Sequence, residues 1–118
     1  MTDKFPQLTD EELSLRLAKA LWPERSVYKS QGGRYYWRMK PGSGGTLLSL
    51  CSWEGMGLVD TKFPCPPYSV NFVKRDNMWM CYIAPDYNKR IAEGFASTAP
   101  RAYVIAALRA VEAIHGKA

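Results

Sequence analysis

The chain has 118 residues, of which 47% are hydrophobic and 23% charged; this composition predicts one folded domain over residues 1–118 and excludes a disordered polypeptide. No stretch approaches the roughly 18 apolar residues of a membrane span, and the polar N-terminus is unlike a signal peptide, so we expect a cytosolic protein without membrane contact. The net charge of +5 arises within residues 26–90, which carry nine basic and four acidic side chains and therefore favour anionic partners.

The first predicted helix covers residues 10–21. Thr9 and Glu12 have the spacing of a capping box, in which each side chain binds the other residue's main-chain N–H. Leu13 and Leu17 recur at helical spacing, and a proline shortly afterwards ends the helix. We therefore expect an amphipathic N-terminal helix with one buried face.

A β-hairpin is predicted next, with strands at 27–30 and 34–39 joined through a pair of glycines that favour a tight turn. Side chains of the second strand alternate between two faces. One face is apolar and expected in the core: Tyr35, Trp37 and Met39. The opposite face is basic with one tyrosine and is the candidate binding face: Arg34, Tyr36, Arg38 and Lys40.

The remaining pattern predicts three more strands and a closing helix. Residues 46–51 form an almost continuous apolar run, typical of a central strand covered on both faces. Residues 52–67 are expected to be irregular, with Trp53 and Met56 in a surface loop. Residues 69–77 fit either a short helix or a strand, residues 78–83 and 90–96 fit strands, and a helix begins after Thr98. The result is an α+β fold, an antiparallel sheet of about five strands packed with an N-terminal and a C-terminal amphipathic helix.

The residues that usually carry catalysis are sparse. Three cysteines without a CxxC pair predict free thiols rather than a disulfide framework or a zinc site. The single histidine, His115, falls in the last turn of the closing helix, where it can satisfy terminal carbonyls. The candidate carboxylates lie near predicted turns and are expected in solvent: Glu54, Asp60, Asp76, Asp86 and Glu93. We therefore predict neither catalytic residues nor a metal or cofactor.

The C-terminal half resembles a known family of small bacteriophage proteins. The features are PPYS at 66–69, a strand with Trp79, and STAPRAYVIAALRAVEA at 97–113. They resemble the phage ABA-sandwich domain, related in style to the NinX-like phage family, over about residues 63–115. The resemblance implies a phage accessory protein acting in the cytoplasm of an infected host, and it implies no catalytic residues.

Two binding functions are consistent with these observations. The first is inhibition of a host protein, such as a defence protein with an acidic surface, since exposed Tyr, Trp, Met and Arg dominate interface hot spots. The second is binding of a nucleotide or nucleic acid, with Tyr36 as a stacking platform and basic side chains on phosphates. The structural alternative is a solvated strand face without a ligand. The oligomeric state is left open, and the candidate contact residues are Arg34, Tyr36, Arg38, Lys40, Trp53, Met56, Lys74 and Arg75.

Overall fold

The computed structural model describes residues 5–38, 45–62, 69–84 and 92–115. After a 3₁₀ turn (Phe5–Gln7), the elements are α1 (Asp10–Leu21), β1 (Ser26–Lys29), β2 (Tyr35–Arg38), β3 (Gly45–Leu47), α2 (Trp53–Asp60), β4 (Ser69–Arg75), β5 (Met78–Ala84), β6 (Ala92–Ala96) and α3 (Ala99–His115). Within these ranges no helix combines the length and apolar character needed to cross a membrane.

The structure confirms helix α1, which local sequence signals predicted. It spans Asp10–Leu21, and the capping box is present, with the Glu12 N–H donating to Thr9 Oγ1 at 3.2 Å and the Thr9 N–H donating to Glu12 Oε1 at 3.2 Å. Leu13 and Leu17 are fully buried. The predicted periodicity therefore marks the face that α1 presents to the core.

The strands form two sheets rather than one. Both are three-stranded and antiparallel, in the orders β1-β2-β3 and β4-β5-β6. The α+β class is confirmed, whereas a single sheet of about five strands is wrong. The chain leaves the first sheet after Leu47, buries Leu48 and Leu50 in the core and enters α2, so β3 and β4 do not become neighbours.

The third strand differs most from its prediction. It is limited to Gly45–Leu47, lies at the edge of its sheet and is exposed at all three residues. The apolar run that suggested a central strand is divided: Leu48 and Leu50 are buried, but outside the strand. The Leu48 N–H still donates to the Tyr35 C=O of β2, but the Leu50 N–H donates at 3.0 Å to the buried Ser14 Oγ of α1, so the segment turns from the sheet to α1.

Helix α2 occupies part of the stretch expected to be irregular. Ser52 caps it, since its Oγ accepts a 3.0 Å hydrogen bond from the Gly55 N–H. Gly55 and Val59 face the core, and burial of this side offsets the poor helix propensity of two glycines. Residues 63–67 of the same predicted stretch lie outside the described part of the chain.

The second sheet resolves the alternatives for residues 69–77, since β4 and β5 form a hairpin with the turn at Asp76, whose φ is 53°. The predicted strands at 78–83 and 90–96 correspond to β5 and β6, and the turn expected between them lies outside the described ranges.

Helix α3 contacts β5, β6, α1 and α2, and every residue from 102 to 108 is buried. The predicted amphipathic helix, with one buried face, is therefore too narrow a description of these residues, because α3 is the central helix of the molecule.

Candidate functional site

The outward face of the first sheet carries the predicted candidate residues together with two that the sequence analysis did not include. Tyr28 pairs with Tyr36, and Tyr36 pairs with Leu47, so one row crosses all three strands. Directly opposed residues share a face of the sheet, and Arg38 lies two positions from Tyr36 on the same side. We call this surface of Tyr28, Tyr36, Arg38 and Leu47 the tyrosine face.

The side chains of the tyrosine face contact one another. The Tyr28 and Tyr36 rings stack with centroids 5.8 Å apart and an interplanar angle of 18°. The Arg38 guanidinium carbon lies 4.9 Å from the Tyr28 ring centroid. Stacking orders these large groups while Tyr28 remains 38% and Leu47 46% exposed, so the face presents a prearranged aromatic and cationic surface.

A glycine permits this arrangement. Gly45 pairs with Arg38 at the edge of the sheet, and a Cβ at this position would lie 2.9 Å from Tyr28 Cζ. Such a distance is closer than carbon atoms approach in proteins. Tyr28 can therefore lie across the end of β3 only because position 45 has no side chain.

The opposite face of the first sheet attaches it to the core. Trp37 is 3% exposed and meets Trp22 edge to face, with ring centroids 5.2 Å apart. The Arg25 guanidinium carbon lies 4.2 Å from the Trp37 centroid. The predicted alternation of β2 is confirmed at Trp37 and Arg38, since Trp37 enters the core and Arg38 is exposed.

The structure separates the predicted contact residues into several places. Tyr36 and Arg38 belong to the tyrosine face, and exposed Arg34 lies next to β2 at the hairpin turn. Lys74 and Arg75 lie at the end of β4 in the second sheet, so they do not share a sheet with the arginines. Predicted Lys40 and Met39 lie outside the described residues.

The two predicted contact residues near α2 differ in exposure. Trp53 is the first residue of α2 and is 70% exposed. Met56 is half-buried and packs against the hydrophobic core. The loop expected to carry both is a helix, whose turn gives the two side chains different surroundings.

The outer face of the second sheet is an exposed surface that the sequence analysis missed. Val73, Met80 and Phe95 form a row across β4, β5 and β6, on the side opposite the one that α3 covers. Met78 and Phe95 are 49% and 46% exposed. The sequence signal for this surface is the alternation of these residues with buried ones along β5 and β6.

One carboxylate expected in solvent has a buried partner. Asp60, the last residue of α2, accepts a hydrogen bond from the hydroxyl of Tyr103, which is 1% exposed. Burial, and then the hydrogen bond to Asp60, raise the pKa of Tyr103 far above its ordinary value. This contact ties α2 to α3.

The described cysteines, Cys51 and Cys81, are free thiols. Burial is the main cause that raises the pKa of each to about 12. Both are therefore protonated at neutral pH and are poor nucleophiles. Cys65 lies outside the described residues, and within them no group of three His, Cys, Asp or Glu side chains is placed to hold a metal ion.

No family model matches the chain, and no curated protein matches its sequence. The phage resemblance and the function drawn from it remain predictions that start from the residues themselves.

Proposed function

We propose that this protein is a non-enzymatic binding protein whose tyrosine face attaches to an acidic surface of another protein and blocks it. The observation that supports this proposal is the stacked Tyr28–Tyr36 pair with Arg38 against Tyr28. Tyr and Arg are enriched among residues that dominate interface energetics, and stacked rings lose little conformational freedom on binding. Leu47 adds an exposed apolar group beside them.

The partner in this proposal is a protein of a bacterium infected by a phage. The resemblance of residues 63–115 to phage accessory proteins supports this choice, and it implies action in the host cytoplasm. A host defence protein is the inferred target, because a compact binding protein inhibits most simply by covering a surface that its target needs.

A nucleotide or nucleic acid is the second candidate ligand, suggested by arginines beside an exposed tyrosine. Two observations favour a protein instead. One face of the Tyr36 ring is already occupied by Tyr28, which leaves less area for stacking a base. Lys74 and Arg75, predicted as phosphate contacts, lie in the other sheet.

The test is charge reversal at Arg38 with a matched control. Tagged wild type and Arg38→Glu are used to capture proteins from lysate of a susceptible bacterium, and the affinity for the captured protein is then measured. We expect Arg38→Glu to weaken binding by about thirtyfold or more, the loss of one hot spot of about 2 kcal/mol. Arg16→Glu, on the exposed side of α1, makes the same change of charge and should bind like wild type.

Two results would contradict the proposal. One is unchanged binding by a folded Arg38→Glu variant; the other is an equal loss in Arg16→Glu, which would show that only net charge matters. Salt dependence separates the two ligands. A nucleic acid should lose affinity linearly with the logarithm of salt concentration, whereas a protein partner should show a shallow change mainly in the association rate.

A further inference from the structure

Strand β3 has an unpaired edge whose hydrogen-bonding groups can be assigned from the register. The Leu48 N–H donates to the Tyr35 C=O, and antiparallel pairs alternate between bonded and non-bonded positions. Thr46 therefore directs its N–H and C=O toward Trp37 in β2. The main-chain groups of Gly45 and Leu47 point away from β2, and among the described residues no strand pairs with them.

A groove of about 330 Å³ with a mixed lining runs beside this edge, between the first sheet and α2; Ser49, Ser52 and Glu54 are its polar members beside Thr46. Its apolar walls come from Trp37, Leu47, Leu50 and Leu58. Thr46 also lines it, and because neighbouring side chains in a strand point to opposite faces, a groove that contacts both Thr46 and Leu47 passes the edge of β3.

The β3 edge is short, at three residues, but it lacks the charged side chain that commonly opposes strand pairing. Proteins commonly place charged side chains, above all lysine, on exposed edges. The outer strand β1 carries Lys29, exposed at its end, whereas β3 has the sequence Gly-Thr-Leu without a charge. Of the two outer strands in this sheet, β3 is therefore the one open to another strand.

We propose that an extended segment of the partner protein adds to β3 as an antiparallel fourth strand, an inference that rests on the proposed function and specifies how the partner binds. Main-chain hydrogen bonds to Gly45 and Leu47 would supply affinity, and alternate side chains would supply specificity. The part of the partner that reaches β3 is thus a strand with defined side chains, next to the acidic surface that the tyrosine face contacts.

The register determines which side chains the added strand carries. The residue opposite Leu47 extends the row Tyr28–Tyr36–Leu47 and is aromatic or apolar. The residue opposite Thr46 enters the groove and is apolar, since it can pack on Trp37, Leu50 and Leu58. The residue opposite Gly45 is acidic, because the Tyr28 hydroxyl lies over Gly45 and can donate to a carboxylate there, with the positive charge of Arg38 against the same ring.

A capped heptapeptide, Thr-Thr-Tyr-Leu-Glu-Thr-Thr, is the probe. Tyr, Leu and Glu would lie opposite Leu47, Thr46 and Gly45. N-methylation of the Tyr nitrogen removes an N–H directed at β3 and should weaken binding about tenfold. N-methylation of the Leu nitrogen removes an N–H directed away from β3 and should change binding little. Affinities come from NMR titration of the labelled full chain, with shifts expected at the amides of residues 45–47.

A protein variant tests the same edge. Leu47→Pro removes one N–H from the unpaired edge and none from the β2 pairing, a position where proline is tolerated. Leu47→Ala also removes most of the leucine side chain but keeps the N–H, so it is the control. We expect Leu47→Pro to bind the probe and the captured partner about tenfold more weakly than Leu47→Ala does.

Three results would overturn strand addition: no binding of the probe at millimolar concentration, equal affinity of the two N-methylated peptides, or a wild-type dimer that Leu47→Pro dissociates in sedimentation. If Arg38→Glu still weakens binding of the captured partner in any of these cases, the proposed function stands. If Arg38→Glu binds the captured partner like wild type while the two N-methylated peptides still differ in affinity as expected, the proposed function is wrong but β3 still binds an added strand.

Discussion

At Gly94 the main chain of β6 touches the main chain of α3. A Cβ at this position would lie 2.6 Å from Ala106 N and 3.1 Å from Ile105 Cβ, and neither a helix backbone nor a packed β-branched side chain can move aside cheaply. We expect Gly94→Ala to lower the free energy of unfolding by about 2 kcal/mol or more, measured by urea denaturation.

Gly57 is the control for this substitution. It lies in α2, where a methyl group added to its Cα would have no neighbouring atom within 4 Å, and alanine is a better helix former by about 1 kcal/mol. Gly57→Ala should therefore leave stability unchanged or raise it. A Gly94→Ala protein as stable as wild type would show that α3 can move away from the sheet.

At the scale of elements, α2 depends on its cap. The Ser52 side chain accepts from the Gly55 N–H and donates to the Ser49 C=O at 2.8 Å. Removing a serine cap costs about 1 kcal/mol, so Ser52→Ala should lower the unfolding free energy by about that amount. Hydrogen exchange should quicken at the amides of α2, whereas alanine at exposed Ser26 should affect neither. Unchanged exchange in α2 would contradict the role of the cap.

The elements predictable from the sequence were those with local signals. Helix α1 has its cap, periodicity and terminator within a few residues, and the hairpin β1–β2 follows from a glycine pair between alternating strands. Helix α2 has two glycines and few strong helix formers, so its stability comes from burial of Gly55 and Val59. The separation into two sheets depends on which distant segments cover one another, and local patterns do not contain that information.

At the scale of the whole molecule, part of the candidate site follows from local sequence patterns and part depends on which distant segments the fold brings together. The outward position of Tyr36 and Arg38 follows from strand alternation alone. Tyr28 and Leu47 join them through pairing across three strands, and Leu47 was expected in the core because it belongs to an apolar run. Lys74 and Arg75 were grouped with the arginines by charge, yet the fold places them in a different sheet.

The whole molecule should also respond to alkaline pH through its buried acids. Burial raises the pKa of the Cys81 thiol from its ordinary value of 9.0 to about 12, so between these values the unfolded chain loses a proton that the folded protein keeps. The contribution of this thiol to the free energy of unfolding is therefore fully present below about pH 9 and falls as pH rises, by at most about 1.4 kcal/mol per pH unit. The pKa values of Cys51 and Tyr103 shift in the same direction.

Urea unfolding at pH 7 and at several pH values between 9 and 12 measures how the free energy of unfolding declines. Cys81→Ala should make this decline shallower even though the variant is less stable at pH 7. If the stability of Cys81→Ala falls with pH as steeply as that of wild type, Cys81 ionises without opening the core between α3 and the second sheet.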